Sequence, residues 1–173
     1  MIGKMRIISV FVLLLPLILL TTGCRDVNLI KVSYKSTDML IAQIEPPINY
    51  DQTVLTASFV NIDNLEESST FGRTVSEYIG SRLAQLGYKV VELKLRKSIF
   101  MKKTGGEFVL SRELKDLSTT HQAQAIVVGT YSIGKDVVYV SSRVIKLADS
   151  TILSSHAYKM PLTENLRQLL GYY

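Results

Sequence analysis

The sequence predicts an α+β fold: a small α/β layer with a mixed sheet of about five strands, two to three helices and a closing antiparallel meander. Three observations point to it. Ala125 to Tyr131 (AIVVGTY) is a continuous apolar run of strand length, as expected of a strand buried on both faces. Phe71, Val75, Tyr78, Ile79, Leu83 and Leu86 recur at helical spacing. Beyond Tyr131, two β-rich segments follow with connections of only a few residues, which suit antiparallel neighbours.

In chain order, Lys4 and Arg6 form a short positive region ahead of an apolar run of 14 residues, Ile7 to Leu20. A spanning helix needs about 20 apolar residues, so the run is short for a span and suits the core of an export signal. It ends in Leu20-Thr-Thr-Gly23-Cys24, with small residues before the only cysteine of the chain. One cysteine forms no internal disulfide, and a free thiol is a liability in an oxidising compartment; acylation to a thioether removes it. The pattern is similar to a lipobox, with cleavage after Gly23 and lipid on Cys24. Thr21 stands where such motifs usually carry Leu. Several buried acyl chains, palmitate among them, at about 0.8 kcal/mol per CH₂ hold a protein to a membrane permanently. Arg25, rather than Asp, follows the cysteine and favours the outer membrane over inner-membrane retention.

The division expected is therefore a signal peptide over 1–23, a lipidated tether over 24–50 and an α/β domain over 51–173. Within the tether, Ser36 is a candidate N-cap for one short helix that Pro46-Pro47 terminates. Thr53 to Val60 reads as a strand, and Phe71 to Leu86 as the clearest helix, capped by Ser69 or Thr70 and closed by Gly87. Tyr88 to Leu95 is a second strand. Gly105-Gly106 marks a turn before a short strand at Phe108 to Leu110, and Ser111 caps a modest helix to about Thr119. Ala125 to Tyr131, Val137 to Lys146 and Thr151 to Met160 complete the strands; Thr163 caps a last helix to Leu170.

Composition excludes several function classes. The 20 basic and 15 acidic residues fall to a surplus of three once Lys4 and Arg6 leave with the signal, and no basic run with interleaved aromatics suggests nucleic acid. Gly129 to Asp136 nearly spells a phosphate-binding loop. However, Asp136 replaces the hydroxyl that must reach magnesium, and a strand rather than a helix follows, so a hairpin turn is expected there. His121 and His156 are the only histidines and show no metal-ligand spacing; His121 reads as an exposed helix end and His156 as a half-buried strand residue. Glu66-Glu67 and Glu113 with Asp116 precede or open helices, where the helix dipole favours negative charge. No base adjoins the hydroxyls of Ser68 to Thr70 or Ser141-Ser142. The chain reads as non-enzymatic, without cofactor or metal. Tyr131, Tyr139 and Tyr158 lie on or beside the meander, where tyrosine serves sheet packing or an interface.

A set of stretches carries a family resemblance: Ser58-Phe-Val-Asn-Ile-Asp, Ser69-Thr-Phe-Gly-Arg73 and Ser81-Arg-Leu-Ala-Gln-Leu-Gly-Tyr-Lys-Val-Val91. Gly105-Gly-Glu-Phe-Val-Leu-Ser-Arg112, Ala123-Gln-Ala-Ile-Val-Val-Gly-Thr-Tyr131, Val138-Tyr-Val-Ser-Ser-Arg-Val144 and Pro161-Leu-Thr continue it in order. Together they resemble the FlgO family of flagellar outer-membrane lipoproteins. The resemblance implies an exported α/β domain without catalysis, acting around the flagellum in motility and filament anchoring. It implies partners such as the lipoprotein FlgP and the periplasmic protein FlgT, in ring-like assemblies, with Cys24 as the functional residue. Gly72, inside a helix where glycine costs about 1 kcal/mol against alanine, suggests a close contact or a frayed first turn. The competing expectation is a periplasmic module that binds a ligand or cell-wall fragment in a concave pocket.

Overall fold

The computed structural model describes residues 26–66, 68–93, 100–102, 108–110 and 119–172. Helix α1 spans Leu29–Ala42, followed by strands β1 (Thr53–Ala57) and β2 (Val60–Asn61). Helix α2 (Thr70–Gln85) leads to β3 (Lys89–Leu93), and β4 (Phe100–Lys102) pairs with β5 (Phe108–Leu110) as a separate ladder. The long strands β6 (Ala123–Ile133), β7 (Val137–Lys146) and β8 (Ile152–Pro161) precede helix α3 (Glu164–Leu170). The main sheet runs β3-β1-β6-β7-β8, with β2 also on β6. Its β3, β1, β2 and β6 ladders are parallel, whereas β6, β7 and β8 form the expected antiparallel meander. This is the mixed, α+β sheet that the sequence predicts.

Why these segments take these forms is visible locally. Ser69 caps α2 by accepting from the Gly72 N–H at 3.2 Å, and Gly87 follows it with φ +94°, a conformation a side chain would oppose. Thr163 caps α3, and Gly171 closes it in the left-handed region. The Gly134-Lys135-Asp136 segment is the β6–β7 hairpin turn, closed by the Gly134 N–H on the Val137 carbonyl at 2.8 Å. Of the helix expected from Ser111 to about Thr119 only the end is described, helical at 119–120; Glu113 and Asp116 lie outside the described residues, as do Cys24, Glu67 and the Gly105-Gly106 turn.

The segment read as a tether departs from expectation. Its helix begins at Leu29 rather than near Ser36, because the Asn28 side chain accepts from the Lys31 N–H at 2.9 Å and caps it earlier. Ser36 lies mid-helix and buried, beside Ser33 and Thr37. Leu29, Leu40, Ile44 and Ile48 join the main core, so the boundary at 51 does not separate this segment from the domain. Small hydroxyl residues face β7 and β8 here; the Ser36 hydroxyl meets that of Ser142 at 3.4 Å, and Thr37 donates to the Ser33 carbonyl. Small side chains let the helix lie close to the sheet, and back-bonding satisfies Thr37.

Two apolar clusters flank the sheet. The larger holds Val54, Phe59, Phe71, Val75, Ile79, Leu83, Val127, Val138 and Val144 between strands and helices. The smaller, on Leu55, Ala57, Leu93, Ile126, Val128, Ile145 and Leu147, buries the other face of β1 and β6. Alternation explains the split: successive residues of β6 point to opposite faces, and both are dry.

The tightest contact joins three elements at Phe59, in the break between β1 and β2. Phe59 donates its N–H to the Gly72 carbonyl at 3.1 Å, and its own carbonyl accepts from the Ser68 hydroxyl at 3.1 Å. A Cβ on Gly72 would stand 2.0 Å from that carbonyl oxygen, and a Cβ on Gly129 of β6 2.0 Å from the Phe59 ring. Tyr131, one β6 repeat further on, packs edge-on to Phe71 at 5.2 Å and donates to the Ser69 hydroxyl at 2.8 Å. The contact suggested at Gly72 is therefore real, and the first turn of α2 is held rather than frayed.

Gly129→Ala is expected to destabilise by about 2–3 kcal/mol in urea unfolding, because the added methyl overlaps the Phe59 ring. Gly80, whose nearest neighbour to an added Cβ is 3.5 Å away, is the internal control. Gly80→Ala is expected to be neutral or to stabilise by up to about 1 kcal/mol. Equal effects of the two substitutions would rule out the clamp.

Candidate functional site

The strands give the domain two ends. At one end, the 44–53 connection crosses the start of β6 and meets the β7–β8 turn. Gln124 fixes this crossing: its side-chain oxygen accepts from the Asn49 N–H at 2.9 Å, while its amide donates to the Gln52 carbonyl at 3.1 Å and to the Asn49 carbonyl. Beside it opens a cleft of about 1010 Å³ between Pro46-Pro47, Gln122, Lys146 and Leu153. Tyr50 stacks on Tyr88 near this end, with ring centroids 4.5 Å apart, and burial pushes the Tyr88 phenol up to about 12.

The cleft's charged groups are mostly engaged locally. Asp51 faces Lys89 at 3.7 Å, and Lys146 donates to Asp149 at 3.1 Å. Hydrogen bonds from Thr151, and then Lys146, hold the Asp149 carboxyl down at about 2. Cleft size matches a small-molecule site, and its described lining holds no histidine or cysteine. Among the described residues, no group of three or more His, Cys, Asp or Glu side chains is gathered as for a metal.

The opposite end holds the start of the described chain. Val27 packs against the main core, and Asp26 accepts from the Asn165 side-chain amide. Asn165 and the Thr163 hydroxyl keep the Asp26 carboxyl below its ordinary 3.8. The Leu162 N–H bonds the Asp136 carbonyl at 2.9 Å, which places the β6–β7 turn at this same end. A shallower hollow of about 350 Å³ lies on the sheet near Ile62, Thr130, Tyr139 and Ala157. Ile62 is 49% exposed and Tyr139 51%.

The residues singled out from sequence are distributed rather than assembled. His121 follows the helical residues Thr119-Thr120, at a helix end as expected, but is half-buried rather than exposed. His156 is half-buried in mid-β8, opposite Ser142, with its ring 5.7 Å from that of Tyr158. Tyr131 is in the core; Tyr158 is mostly covered, and burial raises its phenol. Tyr139 is the one of the three that exposes most of its ring. Cys24 lies outside the described residues. Sequence reasoning missed Gln124 and the Phe59 contact. An isolated glycine inside a strand, Gly129, is the signal for the latter, since such glycines mark close approach. No described helix is long and apolar enough to cross a membrane.

The elements define a small α+β module around a mixed sheet. The chain belongs to the FlgO family, whose model matches residues 34–165. The fold is similar to the C-terminal domain of LpoB from Salmonella enterica, with a TM-score of 0.56 at 10% identity, over 78% of this chain and 98% of that one. The same domain from Escherichia coli gives a TM-score of 0.53 at 10% identity, over 78% and 98% of the two chains. At that identity the likeness is one of fold. A search of curated protein sequences finds no match.

Asp149 yields a pH signature. Its folded value lies below the ordinary 3.8, so its contribution is complete above 3.8 and fades as pH falls toward about 2. Asp149→Asn is expected to lower the thermal midpoint at neutral pH. The difference from the parent protein should shrink steadily below pH 4 in thermal scans. A difference independent of pH would place the effect elsewhere than in the carboxylate.

Proposed function

We propose that the chain is a non-enzymatic lipoprotein of the flagellar apparatus, anchored through Cys24 in the outer membrane with its domain in the periplasm. There it serves as a structural or assembly subunit of a ring around the flagellum, supporting motility and filament anchoring. The observation that carries this reading is the FlgO family match over residues 34–165. The apolar run ending at Gly23-Cys24 supports the anchor. A cyclic ring requires two different, complementary surfaces on each subunit. The helical layer on one face of the sheet and the exposed Tyr139 and Ile62 on the other support such a pair. FlgP-like lipoproteins and the periplasmic FlgT are the partners this reading names.

The cleft of about 1010 Å³ favours a second reading, a periplasmic module that binds a ligand or cell-wall fragment. One experiment separates the two. Basal bodies isolated with their outer-membrane attachments are expected to contain this protein, acylated at Cys24 by mass spectrometry. Cys24→Ala should remove it from them and reduce swimming. Acylated protein that is absent from basal bodies would overturn the flagellar role and leave the binding module.

A further inference from the structure

Asp26, two residues after Cys24, is already docked on the domain. Asp26 is held by Asn165, with the Thr163 hydroxyl also on its carboxylate. Val27 packs on the core, Asn28 caps α1, and Leu29 is buried. No slack separates the anchor from the fold: two residues span at most about 7 Å of backbone. The length and starting point of this link decide where the domain can sit.

The end of the domain beside Asp26 comprises the start of α3, the first turn of α1 and the β6–β7 turn, which Leu162 ties in through the Asp136 carbonyl. It presents Ile30, 47% exposed, with Lys31 and Lys135 in solvent. Apolar and basic side chains suit a phospholipid interface. Asp26, Asp136 and Glu164 are exposed at the same end, three carboxylates against two lysines, so the described side chains give no net attraction to anionic headgroups and the covalent anchor must supply the hold.

We infer that this end rests directly on the phospholipid leaflet that receives the Cys24 acyl chains. The domain is then held flush against the membrane rather than on a flexible stalk. Strand β7, with 10 residues at about 3.3 Å each, leads from that end to the β7–β8 turn. The cleft at Lys146 and Pro46-Pro47 consequently faces away from the lipid, open to the periplasm or to a neighbouring subunit. This inference rests on the reading of Cys24 as the lipidated residue.

The test uses the full, acylated protein in vesicles of phosphatidylethanolamine and phosphatidylglycerol carrying a headgroup-attached quencher. Because Cys24 is the only cysteine and acylation consumes its thiol, a cysteine introduced by Lys135→Cys or Ala148→Cys is the sole labelling site. A fluorophore at position 135 is expected to be quenched several-fold more than one at 148. A Gly/Ser insertion of about 20 residues between Arg25 and Asp26 should erase the difference by letting the domain float free. Equal quenching without the insertion, or stronger quenching at 148, would overturn the flush orientation. Flotation and the mass of the modified cysteine report on the anchor separately: protein that is neither acylated nor floating defeats the lipoprotein reading itself.

Discussion

Phe59 is the point at which strand, helix and neighbouring strand must agree. Its ring occupies the space that a side chain at Gly129 would need, and its carbonyl the space that one at Gly72 would need. Close packing leaves no room to compromise at either glycine, since interiors tolerate overlap poorly. The result is a fixed distance between β6 and the first turn of α2, reinforced by the Tyr131 hydrogen bond to Ser69. That hydroxyl also caps the helix, so one side chain serves as cap and as tie to the sheet.

From this fixed contact the layers follow. With α2 seated, Val75, Ile79 and Leu83 cover one face of β1 and β6, and Thr56, Ser76 and Gly80 form a narrow seam that lets the helix approach. The helix runs back along the sheet, and β3 returns parallel to β1. Burial of both faces of β1 and β6 explains their unbroken apolar character. On β7 and β8, polar residues at Ser141, Arg143, Ser155 and Lys159 alternate with Val140, Val144 and Met160 instead.

Where a segment's burial is carried by apolar residues, the sequence was legible. The AIVVGTY strand, the α2 stripe, the Gly87 stop, the Thr163 cap and the β6–β7 hairpin all appear where periodicity and turn chemistry place them. Burial carried by hydroxyls was not legible. Ser33, Ser36 and Thr37 form the middle of the inward face of α1, between Leu29 and Leu40, yet a search for apolar repeats passes over them and reads a tether with a short helix. The break at Ser58-Phe59 was equally hidden, because TVLTASFV alternates no differently across it; the interruption comes from Phe59 turning to meet two glycines distant in sequence. Gln124 gave no signal, since a single amide bridging backbone carbonyls has no pattern.

The same contact explains what family membership can and cannot convey. Three of the stretches that resemble the FlgO family, around Ser58-Phe59, Phe71-Gly72 and Gly129 to Tyr131, converge on the clamp. Phe59, Phe71 and Tyr131 are buried, as are both glycines, so these residues meet no partner. What they specify is the frame: the spacing of α2, the course of β1 into β2 and the height of β6. On the proposed role, recognition falls to side chains the frame leaves in solvent, and these differ from one surface to the next. Ile62 and Tyr139 flank the hollow on the sheet, Gln122 and Lys146 border the cleft, and Ile30 and Lys135 mark the end beside Asp26. With Cys24 acylated as proposed, a rigid frame on a short link would turn one lipid attachment into a defined orientation of all three surfaces, which a stalked domain would lose.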